Sequence, residues 1–233
     1  MKNFINSFIV KVSSVLPDKA IVSSKEEWNK LAGDNHKYYI VSKKGKKIDE
    51  EQFRETGKEN YQELITSDAL LAEHLGTFSD KRVLDIGCGA GRLTEFLAQD
   101  FKQANGVDIS EKMVEEATKR LAHVPNVAFT ATDGEHYPFE ENTFDLVFSY
   151  IVFQHMPSRS VILENFKEVK RVLKSTGIAK IQIRGGRAVR KGTWFYGPSF
   201  TEEEARVLAA EAGLQIVKMG DDSVKRFFLW LKK

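Results

Sequence analysis

The chain has 233 residues, a length that suits one α/β domain with or without a small appendage, and folding at this size removes roughly 70% of the extended chain's surface from water. A composition of 42% hydrophobic and 29% charged residues, with 16 Gly and 5 Pro, excludes disordered and fibrous classes. The single cysteine, Cys88, excludes an intramolecular disulfide and a Cys-clustered zinc or iron–sulfur site, and a net charge of +2 excludes a global field for nucleic acid or anionic membranes.

No stretch approaches the ~20 consecutive apolar residues that a membrane span needs, so a cytoplasmic protein is expected. At the N-terminus, Phe4, Ile5, Phe8, Ile9, Val12, Val15 and Leu16 share one helical face. Lys11 interrupts the apolar run and no cleavage pattern follows, so the segment does not read as a signal peptide. It reads as a helix packing on this chain or on a second copy, with adhesion to a membrane surface as the alternative. Helices are predicted over Lys25 to Leu31 and Glu50 to Leu75, joined by the aromatic run Tyr38-Tyr39-Ile40-Val41 and the basic turn Lys43 to Lys47.

Near residue 80 the hydrophobic period changes, and short apolar runs begin to alternate with amphipathic helices. The first run, Arg82 to Ile86, enters a glycine-rich turn and then a helix bearing Leu93, Phe96 and Leu97. A strand over Ala104 to Asp108 precedes Ser110, a plausible N-cap for a helix with Met113, Val114, Ala117 and Leu121 inward. Strands follow at Val127 to Thr130 and Phe144 to Ser149, the latter apolar enough for burial on both faces, as in parallel sheets. Pro157 and Ser158 open a helix carrying Ile162, Phe166, Val169 and Leu173, and Gly177 stands where a glycine cap would end it. After a strand at Ile178 to Ile183 comes the loop Arg184 to Tyr196, then a helix started by the capping box Thr201 to Glu204 and ended by Gly213. Strands at Leu214 to Met219 and Arg226 to Leu231 form a terminal hairpin. The sum is an α/β protein, a doubly wound, mostly parallel sheet with an antiparallel end.

In such sheets, ligands bind beyond the carboxyl ends of the strands. The turn after the first strand, Asp85-Ile86-Gly87-Cys88-Gly89-Ala90-Gly91-Arg92, lets the backbone bend sharply and offers free amides at a helix N-terminus. A dinucleotide fingerprint starting at Gly87 needs glycine at position 92, where the chain has Arg92, and this counts against a nicotinamide or flavin cofactor. Asp108, about 20 residues past the glycines, is placed to accept hydrogen bonds from ribose hydroxyls. Asp133-Gly134 follow the third strand, where an adenine amino group would be read, and Ile109 and Met113 suit an apolar floor under the base.

Taken together, Val83 to Gly91, Gly106-Val107-Asp108-Ile109-Ser110 with Met113, Thr132-Asp133-Gly134, Phe144 to Val147 and Val169 to Ile183 resemble the class I S-adenosylmethionine-dependent methyltransferases over roughly residues 76–233. The resemblance implies a Rossmann-like sheet of seven strands in the order 3-2-1-4-5-7-6, the last strand antiparallel. It also implies S-adenosyl-L-methionine as cofactor and S-adenosyl-L-homocysteine as product. It places the methionine moiety near Asp85, Gly87, Cys88 and Gly89, ribose on Asp108, adenine beside Ile109, Met113, Asp133 and Gly134, and the methyl group near Ser149. Residues 1–75 read as an N-terminal helical cap, in which Trp28, Tyr38-Tyr39 and Phe53-Arg54-Glu55-Thr56-Gly57 are similar to the cap of bacterial methyltransferases of small metabolites. Arg54 there suits the cofactor carboxylate, or equally a surface ion pair.

Methyl transfer from a sulfonium needs alignment, with base catalysis optional. His155, after the fourth strand, is the candidate general base, against a structural hydrogen bond at the start of the next helix. His136 and Tyr137 are expected to wall the cofactor. No Asn-Pro-Pro-Tyr motif, cysteine nucleophile or Asp/Asn metal cluster accompanies the fold pattern, which disfavours methylation of nucleic-acid bases and catechol-type metal chemistry. The expected acceptor is the O or N of a small molecule, with no metal, nucleic-acid partner or membrane span, and a homodimer is compatible with the N-terminal helix. The loop Arg184 to Tyr196, mixing cations and aromatics, is the specificity candidate. RNA methylation through the basic loops and a non-catalytic adenosyl-binding scaffold are the rival readings.

Overall fold

Successive side chains along a strand point to opposite faces, and the strands at residues 82–86 and 144–149 are buried almost throughout, so the sheet has two separate apolar faces. The structure, a computed structural model, describes residues 19–41, 48–186, 197–221 and 227–233. The N-terminal helix expected before residue 18, the basic turn Lys43 to Lys47 and most of the loop Arg184 to Tyr196 lie outside the described residues. The strands are β1 (Arg82–Ile86), β2 (Gln103–Asp108), β3 (Val127–Ala131), β4 (Phe144–Ser149), β5 (Leu173–Ile183), β6 (Gln215–Asp221) and β7 (Phe227–Lys232). They form one sheet in the order β3-β2-β1-β4-β5-β7-β6. The first five strands pair in parallel, and β7 runs antiparallel to both β5 and β6. The order reverses between β1 and β4, which opens the crevice at the carboxyl ends of those strands.

On one face, Leu84, Ile86, Val107 and Val147 pack with Ile162, Phe166 and Val169 of α6 (Arg159–Val172) and with Ala205 and Leu208 of α7 (Glu202–Glu211). On the other, Val83, Leu146, Phe148 and Ile178 meet Phe96 and Leu97 of α4 (Thr94–Asp100) and the chain from Tyr61 to Leu75. Between β2 and β3 runs α5 (Glu111–Arg120), started by Ser110, whose hydroxyl accepts the Met113 N–H. Ser158 caps α6 in the same way, and the Thr201 to Glu204 capping box is complete.

The structure corrects the sequence reading in three places. The helix expected over Lys25 to Leu31 extends through the aromatic run as α1 (Lys19–Val41). The helix expected over Glu50 to Leu75 is divided into α2 (Glu50–Tyr61), a π-helical turn at Gln62–Thr66, and α3 (Ala69–Leu75). The break follows from Asp68, whose carboxylate accepts the Leu70 and Leu71 N–H groups and starts a new helix. Finally, Gly177 is not a helix cap: α6 ends at Val172 and β5 begins at once. Gly177 sits beside the irregularity in β4–β5 pairing between Phe144 and Leu146, where a Cβ would lie 3.0 Å from the carbonyl oxygens of Phe144 and Asp145.

A buried ion pair fixes the α3 segment to the sheet. Lys180 of β5 donates to the Asp68 carboxylate at 2.7 Å and to the Leu64 carbonyl at 2.6 Å, and the Trp230 indole N–H donates to the same carboxylate at 2.8 Å. Both charged side chains are 5% exposed, and the ammonium lies 4.9 Å from the Trp230 ring. Removing one member strands the other in apolar surroundings, and the cost exceeds the worth of the intact pair. Asp68→Ala is expected to lower the unfolding free energy by about 3–5 kcal/mol in urea denaturation; a loss below about 1 kcal/mol would place the pair with weak surface bridges.

Candidate active site

Beyond the carboxyl ends of β1 to β4 lies a cavity of about 1200 Å³, open mouth included, roofed by α1. Its floor is the turn after β1. There Gly87, Gly89 and Gly91 take φ values of +71°, +53° and +76°, a region that side chains with a Cβ rarely adopt. The Gly87 and Cys88 N–H groups both donate to the Val107 carbonyl, at 2.7 and 3.0 Å. The next amide, Gly89 N–H, donates to the Asp108 carboxylate at 2.9 Å, whose other oxygen accepts the Ser110 N–H at 2.9 Å. Behind the turn, Arg120 donates to the carbonyls of Ala90 and Gly91, at 3.0 and 2.8 Å.

Three ionisable side chains line this end of the cavity: Asp85, Arg92 and Asp108, all buried or nearly so. Burial pushes the Asp85 carboxyl up to about 7, against the opposing pull of the Thr94 hydroxyl bond at 2.7 Å and the Arg92 guanidinium. Burial also raises Asp108, partly offset by the backbone N–H groups of Ser110, Gly89 and Ile109. The Cys88 thiol is pushed well above its ordinary value by burial and by both carboxylates, so the sulfur stays protonated and is no nucleophile. Arg92 donates from one terminal nitrogen to the Thr56 carbonyl and the Asn60 side chain, both at 2.8 Å, while its Nε is buried without a hydrogen-bond partner. Arg82 Nε, Asn105 Oδ1 and Arg159 Nε share this state, but of the four residues only Arg92 lines the cavity, so its Nε is the one placed to meet a ligand.

The opposite end is walled by the segment after β4, with Tyr150, Ile151, Val152, His155, Met156 and Pro157. From α1, Trp28 meets the His155 ring edge-on, with centroids 5.5 Å apart, and Ile21, Ser24 and Ile40 complete the roof. Asn29 pins α1 over the site: it accepts the Ser110 hydroxyl at 2.7 Å and donates to Glu111 at 3.0 Å, and Lys25 pairs with the same glutamate. The Lys25 contact and the Asn29 bond hold the Glu111 carboxyl down at about 2.

Of the residues singled out from sequence, Asp85, Gly87, Cys88, Gly89, Asp108, Ile109, Met113, Gly134 and His155 all line the cavity, as does Tyr137. Three do not. Arg54 points away and pairs with Glu95 at 2.5 Å, because α2 packs against the glycine turn through Gly57, where a Cβ would lie 2.5 Å from the Arg92 carbonyl. Asp133 is turned outward, its carboxylate taken by the N–H groups of Glu135 and His136 and by the His136 ring. Ser149 is buried with its hydroxyl on the Ile86 carbonyl at 3.0 Å. Thr132 and Gly134 line the cavity in place of Asp133, and Tyr150 in place of Ser149. Trp28 was singled out only as part of the cap pattern; the site residues missed from sequence are its α1 neighbours Ile21 and Ser24, and Arg92, whose only signal was the break in the dinucleotide fingerprint.

Against known families, residues 83–177 match the one described as a methyltransferase domain. The chain is 31% identical over 122 residues to "Methyltransferase GfsG" of Streptomyces halstedii, covering 49% of this chain and 43% of that protein. It is 27% identical over 158 residues to malonyl-[acyl-carrier protein] O-methyltransferase of Geobacter sulfurreducens, covering 60% and 58%. These matches span about half the length of those relatives. Among solved structures, a SAM-dependent methyltransferase from Aquifex aeolicus superposes with a TM-score of 0.59 at 22% identity, over 79% of this chain and 98% of that one, a likeness of fold.

The Asp85 carboxyl generates a prediction on stability. Unfolded, this group ionises near 3.9; folded, it holds its proton up to about 7. Between those values the native state binds the extra proton, so stability falls as pH rises through the window. Asp85→Asn, which keeps the bond from Thr94, is expected to gain on the wild type between pH 4 and pH 7 by up to about 4 kcal/mol, read from urea unfolding at several pH values. Parallel pH profiles for the two proteins would contradict the assignment.

Proposed function

We propose that the chain carries a class I S-adenosylmethionine-dependent methyltransferase domain and transfers a methyl group to the O or N of a small-molecule acceptor, a reading supported by the methyltransferase-domain match over residues 83–177. The observation that carries the reading is the pair of buried groups at one end of the cavity, the Asp108 carboxylate and the Arg92 guanidinium with its unpartnered Nε. They suit two opposite ends of one ligand. Asp108 retains lone pairs for ribose hydroxyls, and a free guanidinium N–H suits the amino-acid carboxylate. Ile109 and Met113 offer an apolar surface to the base, and the Asp85 carboxyl, held protonated up to about 7 by burial, would be drawn to ionise by the ligand's ammonium or sulfonium. The bound cofactor supplies an electrophilic methyl group on sulfur; the protein supplies its alignment with the acceptor and the exclusion of water.

The acceptor end supports a neutral body with apolar or aromatic surface. Trp28, Ile151, Val152, Met156, Pro157 and Val161 line it, and none of them is charged. His155 is the imidazole at that wall, and we assign it to the acceptor's polar atom. That one relative is named as an O-methyltransferase is compatible with an oxygen acceptor. In this reading residues 1–75 form the cap, with α1 closing over both ligands.

Titration calorimetry tests the proposal. S-adenosylhomocysteine is expected to bind the wild type, and Asp108→Ala to bind it about 2 kcal/mol more weakly, roughly 30-fold, the cost of losing hydrogen bonds to a charged group. Unchanged affinity in the variant would remove Asp108 from the site, and binding of NAD without S-adenosylhomocysteine would overturn the methyltransferase reading.

A further inference from the structure

Ile151, the second residue after β4, lies at φ +59°, a conformation that β-branched residues almost never adopt without being held there. The holding group is Gln182 of β5, fully buried, whose Oε1 accepts the Ile151 N–H at 2.8 Å. Because a backbone N–H can only donate, the Gln182 amide has one possible orientation, with oxygen toward Ile151 and nitrogen away. That nitrogen donates to the Ile183 carbonyl at 3.1 Å, an obligate acceptor that fixes the same orientation independently, and to Gln154 Oε1 at 3.2 Å.

The constraint passes on one residue further. With its oxygen turned to Gln182, Gln154 must present its nitrogen on the other side, and this lies 3.1 Å from His155 Nε2. An amide NH₂ donates only, so the imidazole nitrogen facing it offers a lone pair. The neutral ring then carries its proton on Nδ1. Gln154 is itself held in place by the Gly197 N–H, which donates to its backbone carbonyl at 2.7 Å. At Gly197, a Cβ would lie 2.2 Å from the Met156 carbonyl oxygen, so the two segments touch backbone to backbone.

We infer that Gln182 and Gln154 form a two-amide relay that sets the tautomer of His155 and holds the acceptor wall in its strained shape, so that both glutamines are positioning residues. While the relay is intact, the Nε2 lone pair is occupied by an amide N–H. His155 then contributes orientation and an Nδ1–H hydrogen-bond donor, and it does not strip a proton through Nε2. The tautomer follows from the hydrogen-bond geometry alone; the positioning role rests on the methyltransferase reading.

Nitrogen-15 NMR of the full chain, labelled at histidine, with the His155 signals assigned by their loss in His155→Asn, reads the tautomer directly. The wild type is expected to show neutral His155 protonated at Nδ1. In Gln154→Glu, a carboxylate facing Nε2 accepts rather than donates, and the proton is expected to move to Nε2. In Gln182→Ala, the lock on Gln154 is lost and the two tautomers are expected to mix. A wild-type Nε2–H form, or a Gln154→Glu protein with the tautomer unmoved, would overturn the relay; the wild-type reading needs neither glutamine variant to fold. Calorimetry with S-adenosylhomocysteine on the same samples separates the two halves, since an Nδ1–H tautomer in a chain that does not bind this ligand would overturn the positioning role alone.

Discussion

The site depends on the way the turn after β1 is folded against the end of β2. Three successive amides, from Gly87, Cys88 and Gly89, are turned toward β2, two onto the Val107 carbonyl and one onto the Asp108 carboxylate. Such a turn needs left-handed backbone at Gly87 and Gly89, and there is no room for a Cβ at Gly87, which would come within 2.2 Å of Val152. One acid therefore both holds the turn and faces the cavity. The shape of the floor and its charge are inseparable, because loosening the turn removes the acid's backbone donors.

The N-terminal helices complete this floor rather than sit apart from it. α2 reaches the glycine turn closely enough that Thr56 and Asn60 take one arm of Arg92, while Arg54 and Arg120 converge on Glu95 beneath the turn. α1 is attached through Asn29 and Lys25 at the N-terminus of α5, next to the residues that would hold ribose and base, and through Lys37 to Glu50 of α2. The buried charges are distributed to match. Asp68 and Lys180 neutralise each other under the sheet, whereas Asp85, Asp108 and part of Arg92 are left facing the cavity, where only a ligand of mixed charge would satisfy them. That division separates the structural ion pair from the ionisable groups of the proposed cofactor site.

The sheet was legible in the sequence because its strands are continuous apolar runs, and each ligand-facing turn follows one of them. The glycine turn and Asp108 were legible for a related reason: their roles are set by backbone geometry within a few residues. The expected site residues that do not line the cavity have side chains claimed by other partners. Arg54 takes the ion pair that was its alternative reading, with Glu95, and Arg92 lines the cavity instead, because Gly57 brings α2 onto the turn, which no local pattern reveals. Asp133 was captured by its own turn, and the buried Ser149 hydroxyl by the Ile86 carbonyl. Gly177 resembled a cap but serves a sheet irregularity. The α1 residues escaped notice because their apolar side chains face a cavity rather than a core, so burial imposes no clean period on them.

A crystal structure with S-adenosylhomocysteine bound tests the central claim most directly. The account predicts ribose hydroxyls on the Asp108 carboxylate, the amino-acid carboxylate on Arg92 Nε, and the sulfur turned toward the wall of Trp28, Val152 and His155. An adenosyl group bound elsewhere, or a carboxylate that leaves Arg92 Nε unpartnered, would contradict it.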